Sequence, residues 1–214
     1  MFFCSYPKII IKYARALDPI FIEYCKSYKH GGWDKWVSPS HEEVIQRTEN
    51  YNKEWAIWQE QIVGDIQKVL GLNFKRTIID VHIVSGNPRN FSNPIIIKSG
   101  YPVDEFIDVL SHELIHVLLQ DNNNIASWEC VDFVKSLYPN ETKLTQDHLI
   151  VHATLKCIYL DTLEQQDRFK KNLKRSSQAS MNDYYVAWEI INQLDHKQFI
   201  SDYKKWYRKA GDKK

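Results

Sequence analysis

Two histidines four positions apart, His112 and His116, stand with Glu113 inside the stretch DEFIDVLSHELIHVLLQDN, residues 104 to 122. Their flanks are Val109, Leu110 and Ser111 before and Val117 and Leu118 after, with Leu114 and Ile115 between, and none is charged. Burying polar side chains in such a run without partners costs on the order of 2–7 kcal/mol each. The pattern therefore asks for a compensating partner. On a helix, residues four apart lie on one face, so both imidazoles can aim a nitrogen at one point. Zinc accepts neutral imidazole and tolerates an apolar surround. Glu113 falls on the adjacent strip, where its carboxylate can take a proton from an activated water without ligating the metal. This is the chemistry of H-E-x-x-H: two ligands and a general base.

A catalytic zinc needs three protein ligands and one open position, so one zinc per chain calls for a further ligand. TQDHLIVHATLKCIYL carries His148 and His152, again four apart in an otherwise apolar stretch where Ala153 leaves room for close helix packing. SWECVDF carries Glu129, with Asp132 three positions on. His152 is preferred because it sits deeper in its helix; His148 and Glu129 are the alternatives. The other histidine of the pair would orient a ligand or touch substrate. A four-histidine structural zinc would leave Glu113 without a role. His30, His41, His82 and His196 read as ordinary surface or loop residues. Tyr184, Tyr185 and Arg89 are candidate donors to a developing oxyanion, although Tyr184, Tyr185 and Trp188 also form an aromatic stripe suited to a core.

The segment Val109 to Leu118 resembles the zincin superfamily of metallopeptidases. The resemblance implies a zincin-like catalytic half, a peptide or protein substrate and hydrolysis with Glu113 as general base. It also implies an edge strand above the cleft, for which NPIIIKSG, directly before the motif helix, is the candidate. Among the subgroups, Glu129 resembles the glutamate ligand of gluzincins, but it follows His116 by fewer residues than is usual and Asp132 is one position too close. The metzincin glycine and third histidine are absent from VLLQDNNN.

The elements that must position these residues read as α+β and predominantly helical. Residues 8 to 29 carry a mixed apolar pattern that predicts a helix. From Ser40 to about Leu70, Val44, Tyr51, Trp55, Trp58, Ile62, Ile66 and Val69 mark one face of a long helix. Ser40 with Glu43 forms a capping box and Gly71 a stop. RTIIDVHIVSG and NPIIIKSG are β-branched and bounded by turn residues, which predicts strands; Pro94 suits an edge. Acidic Asp104 and Glu105 open the motif helix. Helices are then expected at about 126 to 137, 145 to 166, 184 to 194 and 196 to 208, with 170 to 183 as a flexible segment. The whole predicts one zincin-like domain: an N-terminal helical region over residues 1–72, a sheet with the active-site helix over 73–122, and a C-terminal helical region over 123–214.

Bulk properties narrow the classes. Twenty-eight basic and 27 acidic residues leave a net charge of +1, which argues against nucleic acid as the partner. Seven Trp, twelve Tyr and nine Phe in 214 residues provide for a packed core. The four cysteines, Cys4, Cys25, Cys130 and Cys157, form no CxxC pair and read as free thiols of a reducing compartment. No signal peptide or membrane span is legible, so a cytoplasmic hydrolase is expected. The rival from another class is a non-catalytic, metal-stabilised helical binding module.

Overall fold

The computed structural model describes residues 6–122, 130–177 and 182–211. It is mostly helical with one small mixed sheet. The chain falls into two compact units, one of 1–63 with 76–117 and one of 64–75 with 118–214.

The first unit holds the sheet, in the order β1-β2-β4-β3. β1 (Lys8–Tyr13) runs parallel to β2 (Ile78–Val84), and β2 parallel to β4 (Ile95–Lys98). β3 (Phe91–Ser92) pairs antiparallel with the start of β4. β1 corrects the expected helix over 8 to 29. Its KIIIKY sequence buries Ile9 and Ile11 on alternate residues, a period of two that β-branched side chains favour. Only α1 (Asp18–Ser27) is α-helical in that stretch. β4 is likewise not the terminal strand, because Phe91 and Ser92 pair outside Ile96 and Ile95. Pro94 lies just before the strand, where no ladder N–H is required of it.

α2 (His41–Leu70) matches the expected long helix. The Ser40 N–H donates to Glu43 Oε2 at 2.8 Å and the Glu43 N–H to Ser40 Oγ at 3.2 Å, closing the capping box. Gly71 adopts φ +67°, the left-handed stop that needs no Cβ. Val44, Tyr51, Trp55, Ile62 and Ile66 are buried, whereas Trp58 and Val69 are only half-buried. Tyr51 stacks on Phe106 of α3 (Val103–Asp121), with ring centroids 3.9 Å apart. Its hydroxyl lies 2.6 Å from the carbonyls of both Ser99 and Tyr101, which fixes the turn that launches α3.

The second unit centres on α5 (Lys143–Cys157), capped by the Thr142 side chain. α7 (Asn182–Gln193) and α8 (His196–Gly211) pack on α5. α4 (Cys130–Leu137) presents Phe133 to Phe199, Tyr203 and Trp206. The expected helix 145 to 166 ends earlier: a π turn at Ile158–Thr162 follows α5, and Glu164 takes φ +53°. The segment expected to be flexible is α6 (Gln166–Ser177) for most of its length. Its Lys and Arg are good helix formers, and Phe169 anchors it edge-on to Trp188 at 5.4 Å. Residues 178–181 of that segment lie outside the described residues, as does the start of the helix expected at 126. No described helix is long and apolar enough to cross a membrane.

Candidate metal centre

α3 is buried on almost every side. Phe106, Ile107, Leu110, Leu114, Ile115, Val117 and Leu118 are each fully shielded. The less buried positions, Glu105, Val109, His112, His116 and Gln120, follow one another by four, three, four and four, a single stripe along the helix. The two histidines therefore occupy the one accessible strip of an otherwise apolar helix. Their Nε2 atoms approach to 3.1 Å. A tetrahedral ion with legs of 2.0–2.1 Å spaces its ligand atoms about 3.3 Å apart, so this pair is set at coordination spacing.

Glu113 lies off that stripe and is 6 % exposed. The Ser92 hydroxyl of β3 donates to its Oε2 at 2.5 Å. Burial pushes the carboxyl up to about 7, with the Ser92 hydrogen bond pulling the other way. Sequence reasoning missed Ser92, because a two-residue strand carries no periodic signal.

Of the candidate third ligands, His148 and His152 lie on α5 of the second unit. His148 is 4 % exposed. Its Nδ1 lies 2.7 Å from the Leu144 carbonyl; a carbonyl only accepts, so Nδ1 carries the proton and Nε2 keeps its lone pair. Burial holds this imidazole below the usual histidine range, which favours the neutral form that metals take. An imidazole with its tautomer fixed by a backbone carbonyl suits zinc in donor chemistry, as do the paired rings of His112 and His116.

His152 is placed differently. It is 2 % exposed and stacks on Trp188, with centroids 4.2 Å apart and planes 10° off parallel. Glu129 lies outside the described residues. Tyr184 sits half-buried against the His148 ring at 4.3 Å between centroids. Tyr185 hydrogen-bonds Glu189, and Arg89 lies over the Tyr28 ring.

No protein-family model, curated protein or solved structure matches this chain.

Proposed function

We propose that the chain is a zinc-dependent metallopeptidase in which His112 and His116 hold the ion with a third ligand, for which His148 is the candidate its tautomer favours, and Glu113 is the general base. The observation that supports the reading is the 3.1 Å approach of the His112 and His116 Nε2 atoms, with a buried carboxyl one residue from the first. When bound, zinc supplies a Lewis acid that polarises a carbonyl and acidifies water. Glu113 accepts the proton of the attacking water and passes it to the leaving amine. Ser92 keeps the carboxylate oriented by its hydroxyl. Tyr184, beside His148, is a candidate donor to an oxyanion.

The same histidines would serve a non-catalytic staple, but such a staple leaves Glu113 and its Ser92 hydrogen bond without purpose. Metal content of wild type, His112→Ala and Glu113→Gln proteins tests the reading. About one zinc that depends on His112 and is retained in Glu113→Gln is expected at this centre. Loss of that zinc in Glu113→Gln would make the glutamate a ligand and remove the proposed base. Absence of zinc from wild type after zinc is offered would overturn the centre.

A further inference from the structure

Within the second unit, a different set of donors converges at the end of α5. Cys157 closes that helix, Asp161 lies in the π turn that follows, and His196 is the first residue of α8. Their Sγ, carboxylate and ring nitrogen lie within 4.8 Å of one another. His196 Nε2 is 3.4 Å from Asp161 Oδ2, again close to the ~3.3 Å edge of a tetrahedral site with legs of 2.0–2.1 Å. We infer that Cys157, Asp161 and His196 form a second site, for a divalent transition-metal ion of the zinc class, that clamps the end of α5 to the start of α8. This inference is independent of the histidine centre.

Local structure holds each donor in place. A π turn widens the helix by one residue and recurs at functional sites; here the Leu163 N–H bonds the Ile158 carbonyl, five residues back, at 2.9 Å. Asp195 caps α8 by accepting from the Lys197 and Gln198 N–H groups at 3.0 and 3.1 Å, which fixes the backbone of His196. Cys157 is 6 % exposed, while the side chains of His196 and Asp161 are 14 % and 33 % exposed. The imidazole and carboxylate are therefore reachable from solvent, while the thiol is shielded. Thiolate, imidazole and carboxylate together are a zinc donor set, with one position left for water.

Two lysines stand near. Lys156 Nζ is engaged by the Ile191 carbonyl at 3.1 Å. Lys197 pairs with Asp161 Oδ1 at 2.9 Å, but its side chain is 64 % exposed, and an exposed pair of this kind yields readily. The same three residue types also suggest a cysteine nucleophile. Burial pushes the Cys157 thiol up to about 11, whereas a nucleophilic cysteine needs the opposite. On metal binding the thiol proton passes to solvent and the sulfur coordinates as thiolate.

Cobalt(II) titration of the intact protein separates this site from the histidine centre, because only a cysteine ligand gives thiolate-to-cobalt charge-transfer absorption. The band is expected in wild type and in His112→Ala, and is expected to be lost in Cys157→Ser and strongly weakened in His196→Gln. Lys197→Gln, which frees Asp161, is expected to bind cobalt several-fold more tightly. Circular dichroism of each variant without metal confirms that it is folded. A cobalt spectrum with no thiolate band in wild type would overturn this inference and leave the histidine centre standing. A band that persists in Cys157→Ser would place the thiolate elsewhere and overturn it as well. A thiolate band with no binding that depends on His112 would support this site while sinking the histidine centre.

Discussion

The sharpest distinction concerns two neighbours on one helix, His148 and His152. Replacing His152 with alanine removes a side chain that is 2 % exposed and stacked on Trp188 at 4.2 Å. Large buried aromatic truncations cost about 3–5 kcal/mol; for the smaller imidazole roughly 2–4 kcal/mol is appropriate, of which about 0.5–1.5 is ring stacking. At about 2–4 °C per kcal/mol for a domain of this size, the melting temperature should fall by roughly 4–16 °C. The zinc should stay. His148→Ala should also lower the melting temperature, since that ring is 4 % exposed and bonded to Leu144, but it should empty the metal centre. Thermal melts and elemental mass spectrometry on the same preparations read both quantities, with His148→Gln as the gentler companion. Zinc loss in a folded His152→Ala protein, with retention in His148→Ala, would refute the assignment of the third ligand.

Other perturbations have equally definite outcomes. Ser92→Ala deletes a 2.5 Å hydrogen bond to the Glu113 carboxylate; bonds to charged groups contribute about 1.5–3 kcal/mol, so kcat should fall roughly 10–100-fold with KM little changed, as steady-state kinetics would show. Gly86→Ala places a Cβ 2.4 Å from Trp36 Cζ2 and 2.8 Å from Cys25 Sγ; overpacking costs about 1–3 kcal/mol, which a denaturant midpoint would register as destabilisation. Asp65 Oδ2 is buried without a hydrogen-bond partner among the described residues, and burial holds its carboxyl above the usual range. A raised carboxyl pKa means that the folded state holds the proton more tightly, so stability present below the unfolded pKa is lost as pH rises through the folded value. Asp65→Asn should therefore raise the melting temperature at neutral pH and lose that advantage in acid; an equal effect at both pH values would remove the titration from the explanation.

How much of this is legible from residues alone depends on the range of the interaction. The cap of α2, its Gly71 stop and the approach of His112 to His116 are set by residues three or four apart, and local geometry fixes them. β1 is different: Ile9, Ile10 and Ile11 suit either a buried helix or a strand, and only pairing with β2, some seventy residues later, decides the matter. α6 reads as too basic to be ordered, yet Phe169 packing on Trp188 gives its helix a purchase. Helical spacing puts His148 and His152 on one face; which of them bonds a backbone carbonyl and which stacks on Trp188 depends on how α5 is rotated against α7. Ser92 and the Cys157, Asp161 and His196 group are invisible for the same reason. His196 reads as a surface residue until α8 brings it to the end of α5.

The most direct measurement is cleavage of a complex peptide library, followed by mass spectrometry, by zinc-loaded wild type, zinc-stripped wild type and zinc-loaded Glu113→Gln. Zinc-dependent cleavage by wild type is expected, with Glu113→Gln slower by about 10²–10⁴-fold, the usual contribution of a general base, at unchanged zinc content. Undiminished cleavage by Glu113→Gln or by the stripped protein, or no cleavage by zinc-loaded wild type, would contradict a metallopeptidase with Glu113 as its base.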